Sequence, residues 1–188
     1  TERNINRNIF GHLIPAADFS SLNSFFIFSI GPLLSIFWVK LQRKGLPVST
    51  ATKIATGVLL MGIGYLVLVV GIAHSSAVTG FMAVAWLVLS YFFQTVGELM
   101  VGPVNYAMVG EFVPAKLEGT MMGISQLSTG VGGALSVYFA DYTSKSDQIT
   151  DPVLTNPGYS HAFLVFGILT VSVAMIAYVI AFYVQKTH

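Results

Sequence analysis

Glu98 is the residue whose type and place ask for a chemical explanation. It stands in Tyr91-Phe92-Phe93-Gln94-Thr95-Val96-Gly97-Glu98-Leu99-Met100-Val101-Gly102-Pro103, the centre of a long apolar run. If that run is a transmembrane helix, a carboxylate at its centre costs about 2.5–3.5 kcal/mol to insert. Such a group faces a water-filled path or an opposite charge and marks an ion path or proton relay. The other reading is a clamp that hydrogen-bonds two helices, or a carboxylate that snorkels from a helix end. No Lys or Arg lies deep within another apolar run, so a cationic partner would have to come from outside this chain.

Several other positions could support or gate such a group. Pro103 removes a backbone donor and crowds the carbonyl of Leu99, and Gly102 lowers the resistance to bending. Gly31-Pro32 makes the same break in an earlier run; each is a gate or a static kink. Asn23, among Ser20, Ser21 and Ser24, is a helix cap or an amide that faces a ligand. Ser125, Gln126, Ser128 and Thr129 lie within two turns, with Ser125, Ser128 and Thr129 on one helical face. Buried in hydrocarbon they are helix glue or a strip facing substrate. Gly119-Thr120-Met121-Met122-Gly123 is a GxxxG, continued by Gly130, Gly132 and Gly133, which predicts close helix packing. The methionines read as gap-filling residues.

Other chemistries find no support. The chain has no cysteine, and its four histidines are nowhere three or four residues apart, so no metal site is expected. No Gly-Lys-Ser/Thr follows a strand, which removes a phosphate loop. One carboxylate without a nucleophile or base partner is too little for an enzyme.

The elements that position these residues follow from where charge is missing. Only 9% of the 188 residues are charged and 54% are hydrophobic, with a mean hydropathy of +0.75, whereas soluble domains carry about a quarter charged residues. Residues 19–39, 54–97, 119–140 and 152–185 hold no charge except at their borders. A hydrocarbon core of about 30 Å needs roughly 20 helical residues, and 54–97 is long enough for two helices separated by the polar break at 74–80. The chain therefore reads as all-α, a polytopic membrane protein with five transmembrane helices at about 20–42, 53–73, 81–110, 119–141 and 160–185. An external polar segment, 1–19, precedes the bundle of 20–185, and a cytoplasmic tail, 186–188, follows it.

Orientation comes from the loop carrying Lys40, Arg43, Lys44 and Lys53 without an acid. Cytoplasmic loops collect Lys and Arg, so this loop is expected inside with Lys116 and Lys186. Arg3, Arg7 and Lys145 then lie outside, with Glu2, Asp18, Asp141, Asp147 and Asp151; Glu111 and Glu118 fall inside. The N-terminus is outside and the C-terminus cytoplasmic. The polar beginning is no signal peptide. Together with an odd helix count it leads to the expectation that preceding helices are missing.

The motifs resemble a known family. Phe93-Gln94-Thr95-Val96-Gly97-Glu98-Leu99-Met100-Val101-Gly102-Pro103-Val104, followed by Met108-Val109 and Val113-Pro114, is similar to the tenth-helix signature of the proton-dependent oligopeptide transporters, a branch of the major facilitator superfamily. Phe19-Ser20-Ser21-Leu22-Asn23-Ser24-Phe25-Phe26 resembles the start of their helix eight. Glu2-Arg3-Asn4-Ile5-Asn6-Arg7 is similar to proteobacterial di- and tripeptide permeases. The resemblance implies helices eight to twelve of the C-terminal bundle of a proton-coupled di-/tripeptide symporter in a bacterial inner membrane. It needs no cofactor beyond the coupling proton, its partners being the peptide, the lipid bilayer and the missing N-terminal six-helix bundle; no nucleic acid is involved. It assigns Glu98 to substrate and proton coupling, through a lysine of the other bundle and the peptide amino terminus, and Asn23 and Thr129, beside Ser128, to the pocket wall. Ser125, Gln126, Gly102 and Asn105 stand where the family commonly has Trp, Phe, Ser and Gly, which implies a wetter and larger pocket. The alternative function is a non-transporting truncated remnant, or a membrane protein that packs against partners through its glycine-rich faces.

Overall fold

A computed structural model describes residues 4–9, 12–45, 48–143 and 151–187. The charges at Glu2, Arg3, Lys145 and Asp147 lie outside the described residues. Two short antiparallel strands, β1 (Asn8–Ile9) and β2 (His12–Leu13), and a 3₁₀ turn at Ala16–Ser20 precede five helices. The helices are α1 (Ser21–Arg43), α2 (Thr50–Ala73), α3 (Val84–Phe112), α4 (Glu118–Thr143) and α5 (Pro152–Thr187).

Local chemistry sets several of these limits. Ser49 accepts a hydrogen bond from the Thr52 amide at 3.2 Å, so α2 starts earlier than the charge at Lys53 suggests. Asp151 accepts from the Val153 amide at 2.9 Å and Pro152 occupies the first turn, where its missing N–H is harmless. The pair starts α5 well before residue 160. Both α1 and α3 remain helical through Pro32 and Pro103.

α1, α2, α3 and α5 are each long and apolar enough to cross a membrane. α4, at 26 residues, spans about 39 Å at 1.5 Å per residue, but its Ser, Thr, Gln and Gly positions leave it outside that apolar group. Large side chains face outward throughout: Phe28 is 84% exposed and Leu127 69%. In water such a surface would aggregate, whereas in hydrocarbon it is the expected boundary.

α2 is the centre of the bundle and packs closely on both α3 and α5. Its glycines make this possible. A Cβ on Gly57 would stand 2.8 Å from the Gly97 carbonyl oxygen, and one on Gly97 only 2.5 Å from that of Gly57. Gly64 and Gly71 continue the seam against Gln94 and Trp86, while Gly62 meets Val171 of α5. Where backbones come this near, polar side chains are satisfied across the contact: Ser90 donates to the Gly64 carbonyl at 2.8 Å, and the Thr56 and Tyr178 hydroxyls join α2 to α5 at 2.7 Å. The packing role expected of Gly119, Gly123, Gly130, Gly132 and Gly133 is not met within this chain, because none has a neighbour within 4 Å of where a Cβ would lie. Among the described residues α4 stands off, touching only α3 and α5, and lightly.

One end of the bundle is closed by the polar segment before α1. Asn6 and Met82 pair through their backbones at 3.0 Å, and Ile5, Phe19, Leu68, Met82 and Leu87 form a buried cluster. The Asn4 amide donates to Thr155 and Asn156 at 2.8 Å each, and Asn156 donates to the Gly80 carbonyl at 2.7 Å. Gly80 turns with φ +67° against the backbone of Pro152 and Val153, where a side chain would collide.

Candidate functional site

α1 and α3 pack against each other, and their contact carries the site. Thr95 is fully buried, and its hydroxyl donates to Asn23 Oδ1 at 2.6 Å. This fixes the Asn23 amide with its NH₂ toward the other side, where it donates to Glu98 Oε2 at 3.4 Å. Thr95 and Glu98 are one turn apart on α3, so Asn23 bridges two successive levels of that helix. The carboxylate itself is exposed. It therefore has a fixed neutral partner on one side and room for a charged one on the other.

The surface of α3 continues this opening. Gly102 and Asn105 follow Glu98 at the fourth and seventh positions and share its face. Gly102 has nothing within 4 Å of where a Cβ would be, which leaves a shelf beside the carboxylate. About 10 Å further along the axis, Asn105 donates to Ser125 Oγ at 2.7 Å and the Tyr106 hydroxyl accepts from Gln126 at 2.8 Å. Tyr65 of α2 is a titratable neighbour within electrostatic reach of Glu98.

The sequence-derived candidates thus fall into groups. Glu98 and Asn23 are brought together directly. Ser125 and Gln126 join α4 to α3. Ser128 and Thr129 return their hydroxyls to the Ile124 and Ser125 carbonyls of their own helix, at 3.0 and 3.2 Å, and remain exposed. Gly31 and Pro103 line a cavity between α1, α2 and α3, apart from the Gly102 shelf; Pro32 is exposed on α1. No group of three or more His, Cys, Asp or Glu capable of holding a metal occurs among the described residues. Thr95 and Tyr106 were given no site role by sequence; the available signal was their helical spacing from Glu98, at three and eight residues.

Residues 2–159 match the family described as PTR2, the POT family. The chain belongs to the POT family. It is 34% identical over 178 residues to dipeptide and tripeptide permease A of Chromobacterium violaceum, covering 95% of this chain and 35% of that protein. Permease B of Xenorhabdus bovienii is 34% identical over 173 residues, with 92% and 35% covered. Permease A of Escherichia coli K12 is 31% identical over 174 residues, with 93% and 34% covered. A crystal structure of the peptide transporter POT in complex with sulfate superimposes with a TM-score of 0.83 at 25% identity, covering 98% of this chain and 35% of that one. This POT-family chain is therefore a helical membrane protein whose relatives are transporters rather than enzymes. It spans about a third of the length of the curated relatives it matches.

The geometry makes Thr95 a positioning residue. Thr95→Val keeps the shape but removes the donor that orients Asn23. Losing one such bond costs about 1 kcal/mol, roughly fivefold in rate. In the full-length protein, uptake of a radiolabelled dipeptide, the activity proposed below, should fall by about that factor and recover with Thr95→Ser at matched protein level. Equal uptake by Thr95→Val and wild type would remove Thr95 from the site.

Proposed function

We propose that this chain forms one wall of the central cavity of a proton-coupled di-/tripeptide symporter, as the C-terminal part of a longer protein in a bacterial inner membrane. The observation that carries the reading is the Glu98–Asn23–Thr95 bridge: an exposed intramembrane carboxylate held in place by a neutral amide, on the contact between two helices. An ionised Glu98 can take the ammonium of a peptide amino terminus or a lysine from the missing N-terminal six-helix bundle. A protonated Glu98 can hold neither as an ion pair. Proton binding therefore changes which partner the wall holds, and with it the populations of inward- and outward-open states. The pocket wall includes Asn23, Ser125, Gln126, Ser128 and Thr129, with Gly31, Pro32, Gly102 and Pro103 as points where α1 and α3 can bend. No cofactor other than the proton is required.

The exposed Gly-rich stripe of α4 supports a further transmembrane body covering it. The basic loop of Lys40, Arg43, Lys44 and Lys53 supports a cytoplasmic side there, with the N-terminal segment outside and the C-terminus inside. The full-length protein in proteoliposomes should accumulate labelled dialanine under an inward proton gradient and lose accumulation when a protonophore collapses it. Uptake no faster than in empty liposomes would overturn the reading. The 188-residue chain alone should not transport.

A further inference from the structure

α1 and α2 are joined by a short loop, yet among the described residues they make no close backbone packing; each stands on α3 instead. Walled by α1 and α3 and capped by Lys53 at the start of α2 lies a cavity of about 500 Å³. Its body is apolar, with Leu34, Trp38 and Val39 from α1 and Leu99 and Val104 from α3. At the loop end stand Gln42 and Lys53, with Lys53 Nζ 5.0 Å over the Trp38 ring. From Gly31 at the deep end to Gln42 at the mouth, α1 rises about 16 Å. Half of a hydrocarbon core is about 15 Å, so the groove runs the depth of one leaflet.

Charge decides between a neutral and an anionic occupant. Lys40, Arg43 and Lys44 end α1 and lead into the loop that closes on Lys53, and no acid lies between Lys40 and Lys53. A tryptophan and a lysine at the mouth match the headgroup level of a bilayer, and the apolar body beneath matches an acyl chain. We propose that the groove between α1 and α3 is a binding site for one anionic phospholipid, with an acyl chain between these two helices and the phosphate at Lys53 and Gln42. This inference depends on membrane embedding alone, and stands or falls separately from peptide transport.

The test uses the full-length protein, purified in a mild detergent and followed by native mass spectrometry with added phosphatidylglycerol or phosphatidylcholine. Wild type should retain one phosphatidylglycerol per chain in preference to phosphatidylcholine. One Lys at a membrane surface contributes about 1 kcal/mol toward an anionic lipid, roughly fivefold. Lys53→Gln should lower phosphatidylglycerol retention by about that factor, and Lys116→Gln, whose lysine lies in the α3–α4 connection, should not. Leu34→Trp, which fills the groove, should displace both lipids while the protein stays monodisperse. Soluble glycerol phosphate should not compete. Equal retention of the two lipids by wild type, equal losses in Lys53→Gln and Lys116→Gln, or unchanged retention in Leu34→Trp would each overturn the proposal. The last of these is also the result expected if a protein segment occupies the groove.

Discussion

Replacing Glu98 by Gln in the full-length transporter should reduce proton-driven dipeptide uptake to near background while leaving the protein folded. The substitution keeps length and shape, and the carbonyl of the new amide can still accept from Asn23 at the place where Glu98 Oε2 does. What disappears is the charge and the proton it binds. Without a group that can change charge, transport has nothing at this position to couple to the proton gradient, and a Gln cannot restore the loss at any pH. The two readings of Glu98 separate cleanly here. A clamp between α1 and α3 would survive the change, because the Asn23 bond survives it. Uptake within a few-fold of wild type across pH 5–8 would make Glu98 a clamp and remove it from the coupling chemistry.

The largest effect on folding is expected at the α2–α3 seam. Gly57→Leu should abolish recovery of monodisperse full-length protein. Even the first added carbon would stand 2.8 Å from the Gly97 carbonyl oxygen and 2.8 Å from Val101 Cγ2, and backbone cannot swing aside as a side-chain tip can. Overpacking costs about 1–3 kcal/mol in cores that can relax, and here both helices must separate along the whole glycine line. Gly57→Ala should be milder, since alanine recovers about 1 kcal/mol of helix propensity, yet it should lower the melting temperature. Gly57→Ala with Gly97→Ala should cost less than the sum of the two, because the first has already opened the seam that the second crowds. Thermal melting in detergent measures both. A melting temperature unchanged in Gly57→Ala and a normal yield of Gly57→Leu would show that the helices are not held this close.

Both sites differ in how far they could be read from the chain itself. Uncharged runs announce helices because a bilayer penalises every unpaired charge, so the five elements and the oddity of Glu98 were legible. The bridge was legible only in its parts. Asn23 and Glu98 were each singled out, but they are 75 residues apart, and no local period states that two such positions face each other. Thr95 was invisible because a threonine in a membrane helix is ordinary, and only the contact with α1 gives it a task. The glycines divide for a related reason. The GxxxG at Gly119 and Gly123 has the familiar spacing and no neighbour among the described residues, whereas Gly57, Gly64 and Gly71 recur every seventh residue and face α3. Spacing tells which glycines share a face, but whether another helix lies against it depends on the rest of the fold. The start of α5 was missed although the uncharged run itself begins at residue 152 and Asp151-Pro152 is a cap followed by a first-turn proline.

The closure of the bundle end by the segment before α1 has a consequence for biosynthesis. Asn4 bonds to a residue 152 positions later in the chain, and Asn156 in turn holds the Gly80 turn. At about 5–20 residues per second on the ribosome, the first strand waits roughly 8–30 s before its partner has even been made. Throughout that interval Asn4, Ile5 and Met82 must avoid wrong pairings at the membrane surface while α1 to α4 insert. Synthesis of the first turn of α5 is then the event that ties Asn4 in place, so a ribosome stalled before Thr155 would release a bundle open at that end.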